Sequence, residues 1–154
     1  MSENTNANND PKIFRLFTET GIINQLSVSA LEEKLPYGLK ISQFSLLNHF
    51  VRLGGPFNPI QLARAFQVTK GAMTNTIKRL EVLGFVEVKS DPEDGRGKLV
   101  DITEAGRKAR EDSLQNIYPL IIELQAVLSE EEIDTLLPLL TKIRTYMDAR
   151  RDTR

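Results

Sequence analysis

The sequence predicts a mainly α-helical protein with a small β-hairpin, in which a compact lobe is joined to longer helices. Apolar residues recur at steps of three and four along most of the chain, which is typical of amphipathic helices. Residues 85–102 instead alternate apolar and polar side chains around a turn-rich segment, which predicts two paired strands. Glycines, prolines and capping residues divide the helical pattern into four helices before the hairpin and two after it.

The composition limits the kinds of site that this chain can carry. Its 154 residues suit one domain, and the absence of cysteine excludes disulfides, thiol nucleophiles and thiolate metal sites. Because His49 is the only histidine, a multi-histidine metal cluster is excluded, and we expect neither a metal nor a cofactor. A net charge of -1 means that any surface for nucleic acid must be a local basic patch.

The first residues do not resemble a targeting segment. Residues 1–10 are polar and lack the basic and apolar regions of a signal peptide, so we expect a disordered arm. No apolar run approaches the roughly 20 residues that cross a bilayer. We therefore expect a cytoplasmic protein with no membrane partner, whose single domain covers residues 11–154.

The first two helices are predicted from their apolar spacing. Residues 11–35 follow the helical pattern, with Gly21 as an interruption, and the segment 36–38 ends the helix. Residues 41–53 form the second helix, which the glycines at 54 and 55 stop. Its buried stripe is predicted to contain Phe44, Leu47, Phe50 and Val51.

A short helix, a three-residue turn and a longer helix follow. Asn58 is a favourable N-cap, and Pro59 suits the first helical position. Thr69 ends the turn and caps the longer helix, which runs from residue 70 to about residue 83. Gly84 lies where a left-handed C-cap is expected. The inward side of the longer helix is predicted to consist of Met73, Ile77 and Leu80.

The outward side of this longer helix suits contact with DNA. A helix-turn-helix places its second helix in the major groove, where residues near its N-terminus contact base edges. Residues 67–80 contain three cations and no acid, although an ordinary solvated face is the alternative interpretation. Asn75 can pair with adenine, and Lys70 or Lys78 can reach guanine or phosphate. The predicted contact residues are Thr69, Lys70, Gly71, Thr74, Asn75, Lys78 and Arg79.

The hairpin is predicted to form a wing with a charged tip. Strands at residues 85–89 and 99–102 flank the turn segment SDPEDGRG at residues 90–97. Glycines on both sides of Arg96 let its side chain extend into a minor groove. We expect Asp94 to form a salt bridge that aims the Arg96 guanidinium, although an ordinary polar turn is the alternative. The candidate wing residues are Arg96 and Lys98, with Asp94 orienting Arg96.

The last two helices begin at clear capping residues. Thr103 caps the first of them, which is rich in charge at its start and apolar after residue 114. Ser129 and Glu132 form a capping box that opens the second. The apolar stripes of residues 13–35 and 114–147 are longer than one small lobe can cover. They predict a second copy of the chain as a partner, and a purely intramolecular core is the alternative.

Residues 68–106, VTKGAMTNTIKRLEVLGFVEVKSDPEDGRGKLVDITEAG, resemble the MarR family of bacterial regulators. The run DPEDGR followed by LVDIT is similar to the family's wing, and RLEVLGFVE is similar to the end of its recognition helix. The resemblance implies a winged helix-turn-helix lobe at about residues 41–102. It also implies a homodimer built from helices at about residues 11–35 and 103–150.

The resemblance carries further implications for the wing and for function. It makes Arg96 the wing arginine and Asp94 its orienting acid, while Gly95 departs from the family, which usually has a second basic residue there. It implies a transcriptional regulator that binds double-stranded DNA at a pseudo-palindromic operator, most often as a repressor that a small-molecule effector releases. Because thiol oxidation is unavailable, a small organic effector is expected. His49 is a candidate for its pocket, with an ordinary structural histidine as the alternative.

Other classes of function predict different features. A winged-helix module for protein–protein contact would present an apolar outward face on residues 70–83, whereas this face is polar and basic. A small enzyme would need a nucleophile–base arrangement, and the sequence shows none, so we expect no catalytic activity. An architectural DNA-binding protein would discriminate only weakly between an operator and random DNA.

Overall fold

The computed structural model describes residues 10–151 and confirms the predicted class, a mainly helical chain with one antiparallel hairpin. The expected disordered arm lies outside the described residues, apart from Asp10. The elements are α1 (Lys12–Glu32), α2 (Ile41–Leu53), α3 (Pro59–Ala65), α4 (Lys70–Val82), β1 (Val86–Ser90), β2 (Lys98–Ile102), α5 (Glu104–Gln125) and α6 (Glu130–Arg151).

The chain divides into two compact units, the first ending at Ile117 and the second beginning at Tyr118. Helix α5 begins in the first unit and ends in the second. The expected division into a lobe at about residues 41–102 and dimerisation helices at about 11–35 and 103–150 stays a prediction.

The hydrophobic core belongs to the first unit. It is formed by α2, α3, α4, the hairpin and the first half of α5, together with two leucines of the α1–α2 connection. Burial of side chains of this size contributes roughly 1.5–3 kcal/mol each to the stability of the unit. The fully buried apolar members are Leu46, Leu47, Phe50, Leu62, Leu80 and Val100.

The buried side of α2 differs from the predicted stripe. Leu46 is fully buried beside Leu47 and Phe50, whereas Phe44 and Val51 are only partly buried. Helix α2 packs against both α4 and β2, and Leu46 joins Leu47 and Phe50 in the core that these elements share. The apolar spacing within α2 does not show on which sides of the helix the neighbouring elements lie.

Helix α1 runs unbroken through Gly21 and ends at Glu32, three residues before the predicted end. Its C-terminal end is tied to the start of α2, because the Glu32 carboxylate accepts hydrogen bonds from the Ile41 backbone N–H (2.9 Å) and from Lys40 Nζ (3.3 Å). The backbone bond and the lysine hold the pKa of Glu32 below its usual value. Within Lys12–Glu32 no residue is buried.

The second unit consists of the end of α5 and the whole of α6. The capping box is confirmed, since the Ser129 N–H donates to Glu132 Oε2 (2.8 Å) and the Glu132 N–H donates to Ser129 Oγ (3.2 Å). Within Glu130–Arg151 no side chain is buried. Among residues 10–151 no helix is long and apolar enough to cross a membrane.

Candidate nucleic-acid interface

The α3–turn–α4 segment has the local structure that its capping residues predict. Asn58 Oδ1 accepts from the Gln61 N–H at 2.8 Å, and Gln61 Oε1 accepts from the Asn58 N–H at 3.0 Å. Thr69 Oγ1 accepts from the Ala72 N–H at 3.1 Å and so caps α4. Gln67, with a φ of 55°, lies in the left-handed region and makes the turn between the helices sharp.

Helix α4 has one buried side and one exposed side. Met73, Ile77 and Leu80 are buried in the core, as predicted. Because these residues fix the rotation of the helix about its axis, the opposite side faces solvent. All seven predicted contact residues lie on the exposed surface of α4 or at its cap: Thr69, Lys70, Gly71, Thr74, Asn75, Lys78 and Arg79.

The hydroxyls of this surface differ in what they can offer to DNA. Thr74 Oγ1 donates its proton to the Lys70 carbonyl at 2.8 Å, so only its acceptor positions face outward. The Thr69 hydroxyl accepts the capping bond, and its own proton is available to a phosphate oxygen. The first N–H groups of α4 have no partner within the helix and add donors at the positive end of the helix dipole. The N-terminal end of α4 is therefore suited to an anion.

The helix-turn-helix carries a further exposed cation that sequence reasoning did not single out. Arg64 lies in the last turn of α3, immediately before the turn into α4, and its side chain is exposed. A cation at the C-terminal end of a helix is favourable for the helix dipole, so the position alone gave no reason to assign it to DNA. Its signal in the sequence is its place on the first helix of a helix-turn-helix, which crosses the DNA backbone.

The wing is an antiparallel ladder closed by a tight tip. Strand β1 pairs with β2 from Val86 opposite Ile102 to Ser90 opposite Lys98. Beyond the ladder, the Asp91 N–H donates to the Gly97 carbonyl at 3.0 Å, and the Gly97 N–H donates to the Asp94 carbonyl at 2.8 Å. These bonds give the tip a defined conformation and leave Arg96 and Lys98 exposed.

The structure does not form the expected salt bridge between Asp94 and the Arg96 guanidinium, and the role of Asp94 in orienting Arg96 stays a prediction. Across the described wing no ion pair joins these two side chains, and Asp94 Oδ1 instead accepts from the Arg96 backbone N–H at 3.1 Å. A carboxylate two residues before an N–H forms a local turn more readily than it reaches a flexible guanidinium. The Asp94 carboxylate thus holds the backbone at the residue that carries the wing cation.

A backbone bridge joins the wing to the start of the helix-turn-helix. The Phe57 N–H donates to the Val100 carbonyl at 3.0 Å, and the Val100 N–H donates to the Phe57 carbonyl at 2.8 Å. Phe57 immediately precedes the N-cap of α3, so β2 and α3 have a fixed separation. This contact ties the wing to the start of the helix-turn-helix within the first unit. The segment around Phe57 gave no strand signal in the sequence.

His49 has a structural environment. The centroid of its ring lies 5.2 Å from the centroid of the Phe57 ring and 5.1 Å from the centroid of the Phe66 ring. Burial, with a smaller effect of the nearby Arg52 charge, lowers the pKa of His49 from its usual value of 6.5. Within residues 10–151 no three histidine or carboxylate side chains come together in a way that could hold a metal ion.

Acidification is expected to destabilise the protein through His49. Because its pKa is lower in the folded chain, the unfolded chain binds the proton more tightly, and stability falls as pH drops below about 6.5. Urea unfolding of the wild type and of His49→Gln at pH 8 and pH 5.5 measures this. We expect the stability advantage of the wild type to be smaller at the lower pH. If the stability difference between the wild type and His49→Gln does not change with pH, the pKa of His49 is not lowered by folding.

A helix-turn-helix with a basic exposed second helix and a β-hairpin wing packed beside it defines a winged helix-turn-helix protein. The profile that describes the MarR family matches residues 37–97. The chain is 33% identical over 124 residues to the multiple antibiotic resistance protein MarR of Escherichia coli, a match that covers 79% of this chain and 85% of that protein. The chain belongs to the MarR family of transcriptional regulators.

Other relatives agree with this assignment. An uncharacterised HTH-type transcriptional regulator of Bacillus cereus is 31% identical over 139 residues, covering 87% of each chain. The structure of a cysteine-to-serine variant of Escherichia coli MarR in complex with operator DNA superposes with a TM-score of 0.76 at 32% identity. That match covers 86% of this chain and 95% of the other.

Proposed function

We propose that this protein is a homodimeric transcriptional regulator that binds a pseudo-palindromic operator in double-stranded DNA, with no catalytic activity. The observation that carries the proposal is the outward side of α4, which combines cations and amide and hydroxyl groups while its inward side is fixed in the core. The match to a relative in complex with operator DNA supports it. A protein-contact module would need an apolar outward side on α4, whereas these residues form a polar and basic one.

The exposed groups divide into base-reading and backbone-contacting roles. Asn75 lies in the second turn of α4, and its amide has the donor–acceptor pair that matches adenine in the major groove. Lys70 and Lys78 supply positive charge for guanine or phosphate. The N-terminal end of α4 holds a phosphate through backbone donors and the Thr69 hydroxyl. Arg96 enters the adjacent minor groove, and Lys98 contacts its backbone.

The proposal of a homodimer is supported by the exposed apolar side chains of α1 and of the chain after Ile117. On α1, Leu26 is 67% exposed, and in the second unit Val127 is 74% exposed. A monomeric protein rarely exposes so many large apolar residues along continuous helices. Two identical subunits related by a two-fold axis would match a pseudo-palindromic operator. The exposed residues include Ile13, Phe14, Phe17, Ile23, Tyr118, Ile122, Leu124, Leu137 and Leu139.

The mode of regulation follows from the same assembly. A dimer that covers an operator excludes other proteins from that DNA, which is the action of a repressor. A small organic molecule that favours a conformation with lower DNA affinity would release it, because a ligand shifts the population toward the state that it binds better. The chain has no cysteine that could respond to oxidation in its place.

The experiment that tests this function is the selection of bound sequences from random duplex DNA, followed by titration of the selected duplex at two salt concentrations. We expect a pseudo-palindrome that is bound roughly a thousandfold more tightly than scrambled DNA. Light scattering on the complex should give two protein chains per duplex. No enrichment, together with loss of binding at physiological salt, would refute the proposal and favour a protein-contact module.

Arg96→Ala is expected to weaken operator binding and to lower the slope of log K against log salt by about one per subunit. The cause is the loss of an exposed cation from a tip whose backbone conformation does not depend on that side chain. Lys89→Gln is the matched control, since Lys89 is also an exposed wing cation, but its charge is paired with Glu87 at 2.6 Å. A slope that changes equally in both variants would contradict the role of Arg96.

A further inference from the structure

Helix α5 is attached to the first unit by a stripe of mostly small residues. Gly106, Ala109, Ser113 and Ile117 are its buried residues. The stripe brings α5 close to neighbouring backbone, since a Cβ at Gly106 would lie 2.0 Å from the Phe85 carbonyl oxygen. Small residues bury little apolar surface, so polar contacts on the flanks of the stripe have a large part in fixing the helix.

The first of these polar contacts is made by Tyr37 in the α1–α2 connection. Its hydroxyl donates to Asp112 Oδ2 of α5, and its ring packs edge-on against Phe85 at a centroid distance of 5.5 Å. Phe85 directly follows Gly84, which ends the recognition helix α4. Tyr37 therefore joins three parts of the first unit: the approach to α2, the end of α4 and the helix α5.

Lys108 completes this contact. Its Nζ lies 2.9 Å from Asp112 Oδ1 and 3.0 Å from Oδ2, one turn away on the same helix. The Tyr37 hydroxyl and Lys108 hold the pKa of Asp112 below its usual value, and the bond to Asp112 raises the pKa of Tyr37. The carboxylate is thus charged at neutral pH, and its hydrogen bond with Tyr37 is charge-assisted. We call Tyr37, Asp112 and Lys108 the Tyr37 latch.

The backbone of Tyr37 adds a second, independent observation. Its φ is 61°, a left-handed backbone conformation that residues other than glycine rarely adopt. Such a residue persists when surrounding contacts hold it, and strained positions of this kind are concentrated at sites with a function. Tyr37 is also 51% exposed as a residue, so burial alone does not explain why an aromatic residue occupies this turn.

A second polar contact holds α5 from the side of α2. Arg110 donates from Nε (3.2 Å) and Nη2 (3.0 Å) to Asn48 Oδ1. Loss of the Tyr37 latch therefore leaves α5 attached through Arg110 and the buried stripe. Such a helix stays docked but is held at fewer points, which increases the range of angles that it can adopt on the lobe.

We propose that the Tyr37 latch fixes the angle of α5 on the DNA-binding lobe and thereby determines the half-site spacing that the dimer accepts. The inference rests on the proposed function of a dimeric operator-binding protein. Helix α5 begins in the first unit and, after Ile117, carries exposed apolar side chains such as Ile121 and Leu124 of the proposed self-association surface. The angle at which α5 is held then fixes where each α4 can meet its half-site. Tyr37 and Asp112 are positioning residues that do not themselves contact DNA.

The test uses a library in which the two selected half-sites are separated by spacers of different length. The variants are Tyr37→Phe, which keeps the ring, Asp112→Asn, and the two combined. We expect the wild type to prefer one spacing by about tenfold over its neighbours, and the double variant to accept neighbouring spacings within about threefold. The base preference within each half-site should not change. An unchanged spacing preference in the double variant would overturn the proposal.

Lys40→Gln is the matched control. Lys40 lies in the same connection, but its ammonium pairs with Glu32 of α1 at 3.3 Å instead of with the Asp112 carboxylate of α5. This variant should retain the spacing preference of the wild type. If it relaxes the preference as much as the double variant does, general loosening of the α1–α2 connection is responsible, and the specific role of the latch is refuted.

Amide hydrogen exchange without DNA separates the latch from the proposed function. In the double variant we expect faster exchange in residues 36–41 and in the first turns of α5, whereas Lys40→Gln should leave the exchange of α5 unchanged. Unchanged exchange would show that the Tyr37 latch does not restrain α5, and would overturn the proposal whether or not the chain binds DNA. Faster exchange in a chain whose wild type selects no operator would refute the spacing role and the proposed function together.

Discussion

Gly106→Ala is expected to destabilise the first unit by about 3 kcal/mol, the upper end of the usual cost of overpacking. The added Cβ would lie 2.0 Å from the Phe85 carbonyl oxygen and 2.8 Å from Ile102 Cγ1. The Phe85 backbone cannot easily move, because its N–H donates to Leu80 and its carbonyl accepts from the Thr103 N–H. Urea unfolding of the free protein should show a lower midpoint with an unchanged slope.

Gly71→Ala is the matched control for this measurement. Gly71 also lies near the start of a helix, but a Cβ there would meet no atom within 4 Å. In the absence of DNA we expect this variant to be more stable than the wild type by about 0.5 kcal/mol, because alanine loses less backbone entropy in a helix. Equal effects in the two variants would show that the close approach of α5 to Phe85 is not a constraint.

The parts of the fold that depend on neighbours in sequence were predictable. Asn58, Thr69 and Ser129 each cap a helix by accepting from the N–H three residues ahead, so the residue types alone predict the interaction. The left-handed Gly84, with a φ of 73°, follows from its place just after a helix. The inward side of α4 was predictable for the same reason, since helical periodicity fixes which residues share a side.

The contacts that join distant segments were not predictable. Tyr37 and Asp112 are 75 residues apart, and Asn48 and Arg110 are 62 apart, so nothing in a sequence window relates them. The bridge between Phe57 and Val100 likewise joins segments that lie far apart in the sequence. The exposed residues of α4 could be predicted from the sequence. The contacts that hold α4 and the wing in the same unit could not.

In the wing, the Asp94 carboxylate bonds to a different local partner from the one expected. Two local partners compete for the Asp94 carboxylate, the Arg96 backbone N–H and the Arg96 guanidinium. The backbone donor is fixed by the turn, whereas the guanidinium has several rotatable bonds whose freedom would be lost on pairing at an exposed site. Entropy therefore favours the backbone contact, and the side chain of Arg96 remains available for DNA.

Asn75→Ala is expected to reduce operator affinity about a thousandfold while changing affinity for random DNA by less than about threefold. A bidentate contact to adenine contributes about 2 kcal/mol of discrimination, and a dimer loses it in both half-sites, which gives about 4 kcal/mol. The fold should remain intact, because Asn75 is exposed and alanine is the better helix former. Titration of labelled operator and scrambled duplexes at one salt concentration measures both affinities.

Thr76→Ala is the matched control, because Thr76 is the next residue of α4, is less exposed, and donates its hydroxyl proton to the Ala72 carbonyl at 3.1 Å. It changes helix propensity in the same direction without removing a group from the proposed DNA surface. Operator binding by this variant should match the wild type. If Asn75→Ala instead weakens binding to both duplexes by the same factor, its amide contacts phosphate. In that case Lys70 and Lys78 contact the bases, since their side chains are long enough to reach guanine.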